Sequence, residues 1–185
     1  FRGPCRSHFG VGMLLLALAT VVAATPCQGQ DNLIGNASFE QMDPQTAIPV
    51  GWTAWATPNW AVFTFAAART GVACLAVTDD DPAVSQGLRS PRVPVEPGRS
   101  YNASAWLKIE RAEQGGFALY LEYWAGPTRI ENKSTFAQEA PDWTRLDLRY
   151  PAPAGATHAT LLLYGSSATV GRAYFDDASL ELVPE

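Results

Sequence analysis

Short runs that alternate apolar and polar side chains, separated by glycine and proline, constrain the fold of this 185-residue chain more than any other feature. Alternation at every second position is typical of strands with one buried face. No convincing helix follows residue 30. The predicted strands are 32–40, 52–56, 61–65, 72–78, 83–88, 101–110, 116–124, 128–138, 144–150, 159–164 and 172–183. Many short strands between turn residues predict an all-β sandwich.

The first 30 residues have the composition of a secretory signal peptide. Arg2 and Arg6 precede an apolar or small run at 11–24, which is too short to span a bilayer comfortably. We therefore expect residues 1–30 to be removed and 31–185 to form one secreted domain, extracellular or periplasmic. Two alternatives stay open for Cys27, acylation or a disulfide with Cys74. Without that bridge, Cys74 is predicted to be a small buried hydrophobic residue.

Charge and histidine content limit the classes of function. Residues 31–185 carry 11 basic and 18 acidic side chains, a net charge of −7. No basic patch is evident, which argues against a nucleic acid or an anionic membrane as partner. His158 is the only histidine after residue 30, so a His/Cys metal cluster or a Ser-His-Asp triad is not expected. Paired carboxylates for glycoside hydrolysis stay open, with Glu110 and Glu122 as candidates.

Two predicted strands have sharply different faces. The apolar faces are Tyr101, Ala103, Ala105, Leu107 and Ile109 on one strand, and Phe117, Leu119, Leu121 and Tyr123 on the other. The opposite faces mix aromatic and polar groups: Asn102, Ser104, Trp106, Lys108 and Glu110, and then Ala118, Tyr120, Glu122 and Trp124. We predict that the apolar faces form the core. We expect the mixed faces to form one exposed recognition surface.

Acidic residues occur within the apolar segments at both ends of the predicted domain. Glu40 ends the first segment, and Asp176 and Asp177 interrupt the last. A carboxylate beside apolar strand residues needs a compensating partner. A shared cation that ties the first segment to the last would supply one.

The order of the motifs resembles a known family. These motifs are Asn32-Leu-Ile-Gly-Asn-Ala-Ser-Phe-Glu40, Gly51-Trp52, Arg69-Thr-Gly-Val-Ala-Cys-Leu-Ala-Val77, Pro94-Val-Glu-Pro-Gly98, Tyr101-Asn-Ala-Ser-Ala-Trp106 and Phe175-Asp-Asp-Ala-Ser-Leu180. Together they resemble the CenC-like carbohydrate-binding modules of families 4, 9, 16 and 22, over residues 32–183. The resemblance implies a galactose-binding-like jelly-roll sandwich of two antiparallel sheets without catalytic activity.

The resemblance also implies a structural calcium ion near the N- and C-terminal strands. Its ligands would be the carbonyl oxygens of Ser38 and Gly71 and the carboxylates of Glu40 and Asp176, with Asp177 as the alternate. Calcium accepts six to eight hard oxygen ligands, commonly a mixture of carboxylates and carbonyls.

A polysaccharide or oligosaccharide is the expected partner. Flat aromatic rings pack against the apolar faces of pyranoses, and planar polar groups bind their hydroxyls. The candidate binding residues are Trp106, Tyr120, Glu122, Trp124, Asn102 and Gln86. Trp52 is predicted to pack in the core, and Trp55 or Trp60 to line a rim. The alternatives are a cell-surface or extracellular structural or adhesion module without sugar binding, and a small glycosidase.

Overall fold

A computed structural model describes residues 31–57, 59–166 and 168–184. The predicted signal peptide and Cys27 lie outside the described residues. No described segment forms a helix that is long and apolar enough to cross a membrane. The strands are β1 (Thr53–Ala54), β2 (Ala61–Thr64), β3 (Cys74–Asp79), β4 (Gly87–Arg89), β5 (Val93–Pro94), β6 (Ser100–Gln114), β7 (Phe117–Ala125), β8 (Thr128–Ala137), β9 (Thr144–Pro151), β10 (His158–Gly165) and β11 (Val170–Leu182).

These strands form two antiparallel sheets. The six-stranded sheet has the order β1-β4-β10-β7-β8, and β5 pairs with β10. The five-stranded sheet has the order β2-β3-β11-β6-β9. Neighbours in each sheet are mostly distant in sequence, so the first and last parts of the chain lie side by side. The predicted all-β sandwich of two antiparallel sheets is confirmed.

The core lies between the sheets and contains the predicted apolar faces. The inward side chains of β6 and β7 are all at most 7% exposed, and Tyr123, Leu119 and Leu121 are completely buried. Phe175 of β11 and Leu161 of β10 complete the same cluster. Tyr123 retains a polar partner, because its hydroxyl donates to the Tyr150 carbonyl at 2.8 Å. Alternation in the sequence therefore identified the buried sides of these strands correctly.

The expectation of one shared recognition surface on β6 and β7 is wrong. β6 belongs to the five-stranded sheet and β7 to the six-stranded sheet, so their outward faces lie on opposite sides of the sandwich. Gly115 and Gly116 make the crossing between the sheets. Gly115 has a φ of 67°, and a Cβ there would lie 2.7 Å from the Thr169 Cα. A two-residue crossing this crowded requires glycine.

The predicted first strand, 32–40, is a series of turns instead. Its residues still attach to the last strand. The Leu33 N–H donates to the Leu180 carbonyl at 2.8 Å, and the Asn32 side chain bonds to both Ala178 and Leu180. The amide group of asparagine can both donate and accept, so it makes the same two hydrogen bonds to β11 that the backbone of a neighbouring strand would make. The two ends of the domain are therefore joined as expected, but without a regular strand.

Candidate functional site

The outward side of the six-stranded sheet carries a group of aromatic rings, here called the aromatic face: Trp55, Tyr120, Trp124 and Tyr164. Trp55 and Tyr164 meet edge to face at 5.5 Å between centroids, and Tyr120 meets Tyr164 in the same way at 5.7 Å. Trp55 follows β1, Tyr120 and Trp124 lie on β7, and Tyr164 lies on β10. None of the four is fully buried. Four rings from three parts of the chain thus line one side of the sandwich.

A buried carboxylate lies between these rings. Glu122 is completely inaccessible to solvent, and its two oxygens accept bonds from two arginines. Arg89 donates through Nε at 2.7 Å and Nη2 at 3.2 Å, and Arg129 donates through Nη1 at 2.7 Å. The Thr160 hydroxyl adds a bond at 3.0 Å. A buried carboxylate with this many hydrogen-bond donors fixes the positions of both guanidinium groups.

The Trp124 ring is held from several directions. Its Nε1 donates to the Thr160 hydroxyl at 2.9 Å. His158 lies parallel to it at 6.1 Å, and the guanidinium carbons of Arg89 and Arg92 lie 5.0 and 5.9 Å from the ring centre. Burial, and secondly the charge of Arg92, lower the pKa of His158, so this histidine is neutral at pH 7. These contacts fix the ring before any ligand arrives.

A shallow hollow opens beside the rings. Its volume is about 230 Å³, and its lining consists of Trp55, Tyr120, Arg129, Asn132, Leu162 and Tyr164. The lining combines apolar ring surface with an amide and a guanidinium group. Both are planar groups that hydrogen-bond hydroxyl or carboxylate oxygens. The hollow therefore offers stacking surface and directional donors together.

Three of the predicted binding residues lie elsewhere. Trp106 and Asn102 face outward from the opposite sheet, and the Trp106 ring is covered by the Arg69 guanidinium at 3.7 Å. Gln86 is completely buried, and its side-chain oxygen accepts the Trp60 N–H at 2.9 Å. Grouping Trp106 and Asn102 with the β7 residues was wrong, because β6 belongs to the other sheet. Gln86 does adjoin the six-stranded sheet, where its carbonyl accepts the Gly165 N–H at 2.8 Å, but its side chain is buried and not open to a ligand.

Tyr120, Glu122 and Trp124 do lie together, although the role expected for Glu122 changes. Its carboxylate is buried beneath two arginines, so it positions them and is not itself open to a ligand. Trp55 lies at the rim of the hollow, and Trp52 packs in the core against Phe39 at 5.0 Å between centroids. Both tryptophans therefore lie where the sequence placed them.

Sequence reasoning missed several residues of this face: Arg89, Arg92, Arg129, Asn132, Leu162 and Tyr164. Two of them had a usable signal. The Ala125-Gly-Pro-Thr128 turn makes β7 and β8 a hairpin, in which Asn132 pairs with Glu122 and Arg129 with Trp124. The others come from β4, β10 and a loop far away in sequence, so alternation within one strand does not reveal them.

Two of the proposed calcium ligands, Glu40 and Asp176, meet at the loop 69–73, which contains a third, Gly71. Asp176 is completely buried and accepts the N–H groups of Arg69 at 2.8 Å, Thr70 at 3.2 Å and Asp177 at 2.8 Å. Glu40 accepts the Val72 N–H at 3.2 Å from both of its oxygens. One loop therefore contacts the carboxylates from both ends of the domain.

A β-bulge in β11 sets the environment of the two aspartates. The register with β6 shifts between Asp176 and Ser179, and Asp177 adopts a φ of 44°. Asp177 consequently turns outward to bind Arg69 at 2.6 Å, whereas Asp176 stays beneath the loop. Burial raises the pKa of Asp176 to about 6, although the backbone N–H bonds oppose that shift. Of the two aspartates, Asp176 is therefore the one whose buried carboxylate oxygens could bind a metal ion.

The donor chemistry at this loop fits a hard cation. The carboxylates of Glu40 and Asp176 flank a loop whose backbone carbonyl oxygens could serve as further metal ligands. Gly71 in this loop has a φ of 62°, and a Cβ there would overlap the Glu40 carboxylate. Within the described residues, no group of three or more His, Cys, Asp and Glu side chains has metal-binding geometry. Backbone carbonyls would have to supply the remaining ligands.

The carboxylates considered for glycoside hydrolysis are far apart in the fold. Glu110 lies on β6 of the five-stranded sheet, where it accepts the Tyr174 hydroxyl and lies 3.8 Å from Arg172. Glu122 faces outward from the other sheet and is enclosed by arginines. The expectation that these two side chains face each other is wrong, because the sandwich separates them.

Comparison with known families shows which family the chain belongs to. The family model described as "Carbohydrate binding domain" matches residues 31–169, which include every strand of the six-stranded sheet. The chain belongs to this carbohydrate-binding domain family. The resemblance inferred from the motif order is thereby confirmed. No curated protein sequence matches the chain.

Solved structures share the fold of this carbohydrate-binding domain at low sequence identity. A family 16 carbohydrate-binding module superposes with a TM-score of 0.62 and 20% identity, over 80% of this chain and 99% of that one. The CBM22-1 xylan-binding domain of Paenibacillus barcinonensis Xyn10C gives 0.60 and 19%, over 84% and 97%. TmCBM61, solved with β-1,4-galactotriose, gives 0.54 and 16%, over 83% and 99%. These three neighbours are binding modules with a similar fold.

Proposed function

We propose that this carbohydrate-binding domain holds its polysaccharide or oligosaccharide on the aromatic face of the six-stranded sheet. The observation that carries the proposal is the hollow beside Tyr120, with ring surface and arginine donors fixed around it. Aromatic side chains bury large areas at low conformational cost and suit the C–H faces of pyranoses. The Glu122 network holds its arginines in place, so binding spends little free energy on ordering side chains.

The opposite face is a poorer candidate. Trp106 faces outward there, but its ring is already covered by Arg69, which is in turn paired with Asp177. A sugar would have to displace the guanidinium before it reached the ring. The neighbouring Arg145 also has partners within the sheet, the Asp147 carboxylate at 3.1 Å and the Ser104 hydroxyl at 3.2 Å.

Tyr120→Ala is expected to weaken glycan binding by about tenfold or more. The substitution removes ring surface from the hollow, and a well-packed aromatic contact contributes about 0.5–1.5 kcal/mol in addition to the apolar area that it buries. The measurement is affinity electrophoresis of the purified domain against a panel of glucans, xylans, galactans, mannans and uronate polymers. Trp106→Ala is the matched aromatic control on the other sheet. If Trp106→Ala loses glycan binding and Tyr120→Ala binds normally, the site lies on the opposite face.

We also infer that the domain binds glycan without cleaving it. The carboxylate pair weighed for hydrolysis is split between opposite faces, and the Glu122 carboxylate is enclosed by its arginines. Incubation with each retained polysaccharide should release no new reducing ends. Release would restore the glycosidase alternative. Failure of every glycan to retard the protein would instead favour the structural or adhesion module.

We further propose a structural calcium ion at the 69–73 loop, held by Glu40 and Asp176 with the Ser38 and Gly71 carbonyls. A divalent cation would compensate the buried Asp176 charge and join the N-terminal segment to β11. We expect this ion to stabilise the fold and not to take part in glycan binding.

Chelation is expected to lower the melting temperature by about 5 °C or more. A ligand that binds only the native state stabilises it by mass action, by about 2.7 kcal/mol at a hundredfold excess over Kd. The measurement is a thermal melt with EDTA and with added CaCl2. Glu40→Gln should abolish the response, and Glu139→Gln, an exposed site, should retain it. Identical melts with and without chelator would reject the ion.

A further inference from the structure

The aromatic face has the opposite charge to the domain that carries it. Residues 31–185 have a net charge of −7. Among the described residues, the outward positions of β4, β7, β8 and β10 carry two guanidinium groups, Arg89 and Arg129, and one carboxylate, Glu122. Arg92 adds a third guanidinium above Trp124. The absence of a basic patch, inferred from the sequence, is therefore wrong for the folded surface.

Glu122 neutralises only one of these three charges. Arg89 and Arg129 share its two oxygens, and each keeps N–H groups that do not contact it. Arg129 has 39% of its side chain exposed and lines the hollow. Arg92 is exposed as well. The surplus positive charge thus lies at the hollow, through Arg129, and over the Trp124 ring, through Arg92.

The charge of Arg92 also reaches a neighbouring residue. His158 stacks against Trp124, and burial first, then the charge of Arg92, lower its pKa. Three guanidinium groups around the single Glu122 carboxylate leave this face net positive, which favours an anion. Concentrated charge of one sign in a concave site raises the local concentration of oppositely charged ligands.

We propose that the glycan held by the aromatic face is acidic, and that the carboxylates of its uronic acid residues bind Arg129 and Arg92. This deepens the proposed function and rests on it. A planar guanidinium group pairs with a carboxylate through two parallel N–H bonds, the geometry that Arg89 already forms with Glu122. Neighbouring rings receive the apolar faces of the same sugars.

The test compares a uronate polymer with its own neutral form. The probes are polygalacturonate, alginate and the same two polymers after chemical reduction of their carboxyl groups. Retardation by the acidic forms, and at least fivefold weaker binding of the reduced forms, is the expected result. Raising NaCl from 50 to 500 mM should weaken the acidic interaction, because salt screens exposed charges.

Three variants localise the charge effect. Arg92→Gln and Arg129→Gln should each weaken binding of the acidic polymers about fivefold, as expected for a partly exposed ion pair. Arg149→Gln is the matched control, since this arginine is exposed on the opposite sheet. Arg92 makes no bond to Glu122 among the described contacts, so its substitution tests the proposal even if Arg129→Gln folds poorly.

The outcomes separate the two proposals. Binding of neutral xylan, galactan or glucan without preference for uronates overturns the acidic ligand and leaves the sugar-binding face intact. Equal retardation by dextran sulfate and polygalacturonate overturns carboxylate recognition. Binding to no glycan overturns both this inference and the proposed function. An unchanged affinity in Arg92→Gln and Arg129→Gln, with acidic polymers still bound, places the anion site elsewhere.

Discussion

Glu122→Ala is expected to lower the free energy of unfolding by about 3 kcal/mol and to abolish detectable glycan binding. Removing one partner of a buried ion pair typically costs about 3–5 kcal/mol, because the other charges lose their compensation. The lower end applies here, since Arg89 and Arg129 are 24% and 39% exposed and regain some water. Thr160 also loses the acceptor of its hydroxyl bond.

Urea unfolding at pH 7 measures the stability change, and affinity electrophoresis measures binding. Glu113→Ala is the control, because this carboxylate is 63% exposed and its pair with Arg111 lies at the surface. Surface pairs contribute about 0–1 kcal/mol. A loss below 1 kcal/mol in Glu122→Ala, similar to that in Glu113→Ala, would contradict the structural role assigned to the network.

Gly87→Ala is expected to destabilise the domain by about 2–3 kcal/mol and to weaken binding through Arg89. A Cβ at position 87 would overlap the carbonyl oxygen of Leu163 and lie 3.0 Å from the Tyr164 Cα, both of which belong to the backbone of β10. Backbone cannot rotate away, so β4 must move from β10. Forced overpacking of this kind costs about 1–3 kcal/mol.

Arg89 lies two residues along β4, so displacement of the strand disturbs its bidentate contact with Glu122. Gly35→Ala is the matched control, because a Cβ there has no atom within 4 Å. The comparison uses urea unfolding and electrophoresis on the glycan that the unaltered domain binds best. Equal stability of the two variants would show that β4 and β10 are not packed as closely as described.

Local pattern predicted much of the fold. Alternation located β6 and β7 and identified their buried sides, because a strand's period of two is a property of consecutive residues. The same pattern brought Tyr120, Glu122 and Trp124 together correctly. It failed for Trp106, since alternation gives the side on which a residue lies within its own strand and nothing about the sheet to which that strand belongs.

The candidate calcium ligands illustrate a different limit. The motif order placed Glu40, Gly71 and Asp176 near one another, and the structure brings all three to the loop 69–73. The predicted strand at 32–40 is a set of turns, however, because Asn32 and Asn36 bond locally to the backbone through their side chains. Such bonds compete with strand pairing and are invisible to an apolar–polar count.

The sequence by itself determined the class of this protein: an all-β sandwich, with its buried strand faces and the motif order of a carbohydrate-binding domain. Only the tertiary structure decided which of the outward residues share a face, because the crossing at Gly115 and Gly116 sends β6 and β7 to different sheets. It also decided the charge of the aromatic face. Arg89, Arg92 and Arg129 lie close together in the fold but are dispersed among acidic residues along the chain. Electrostatic interactions depend on distance in space, and the packing of the strands sets that distance.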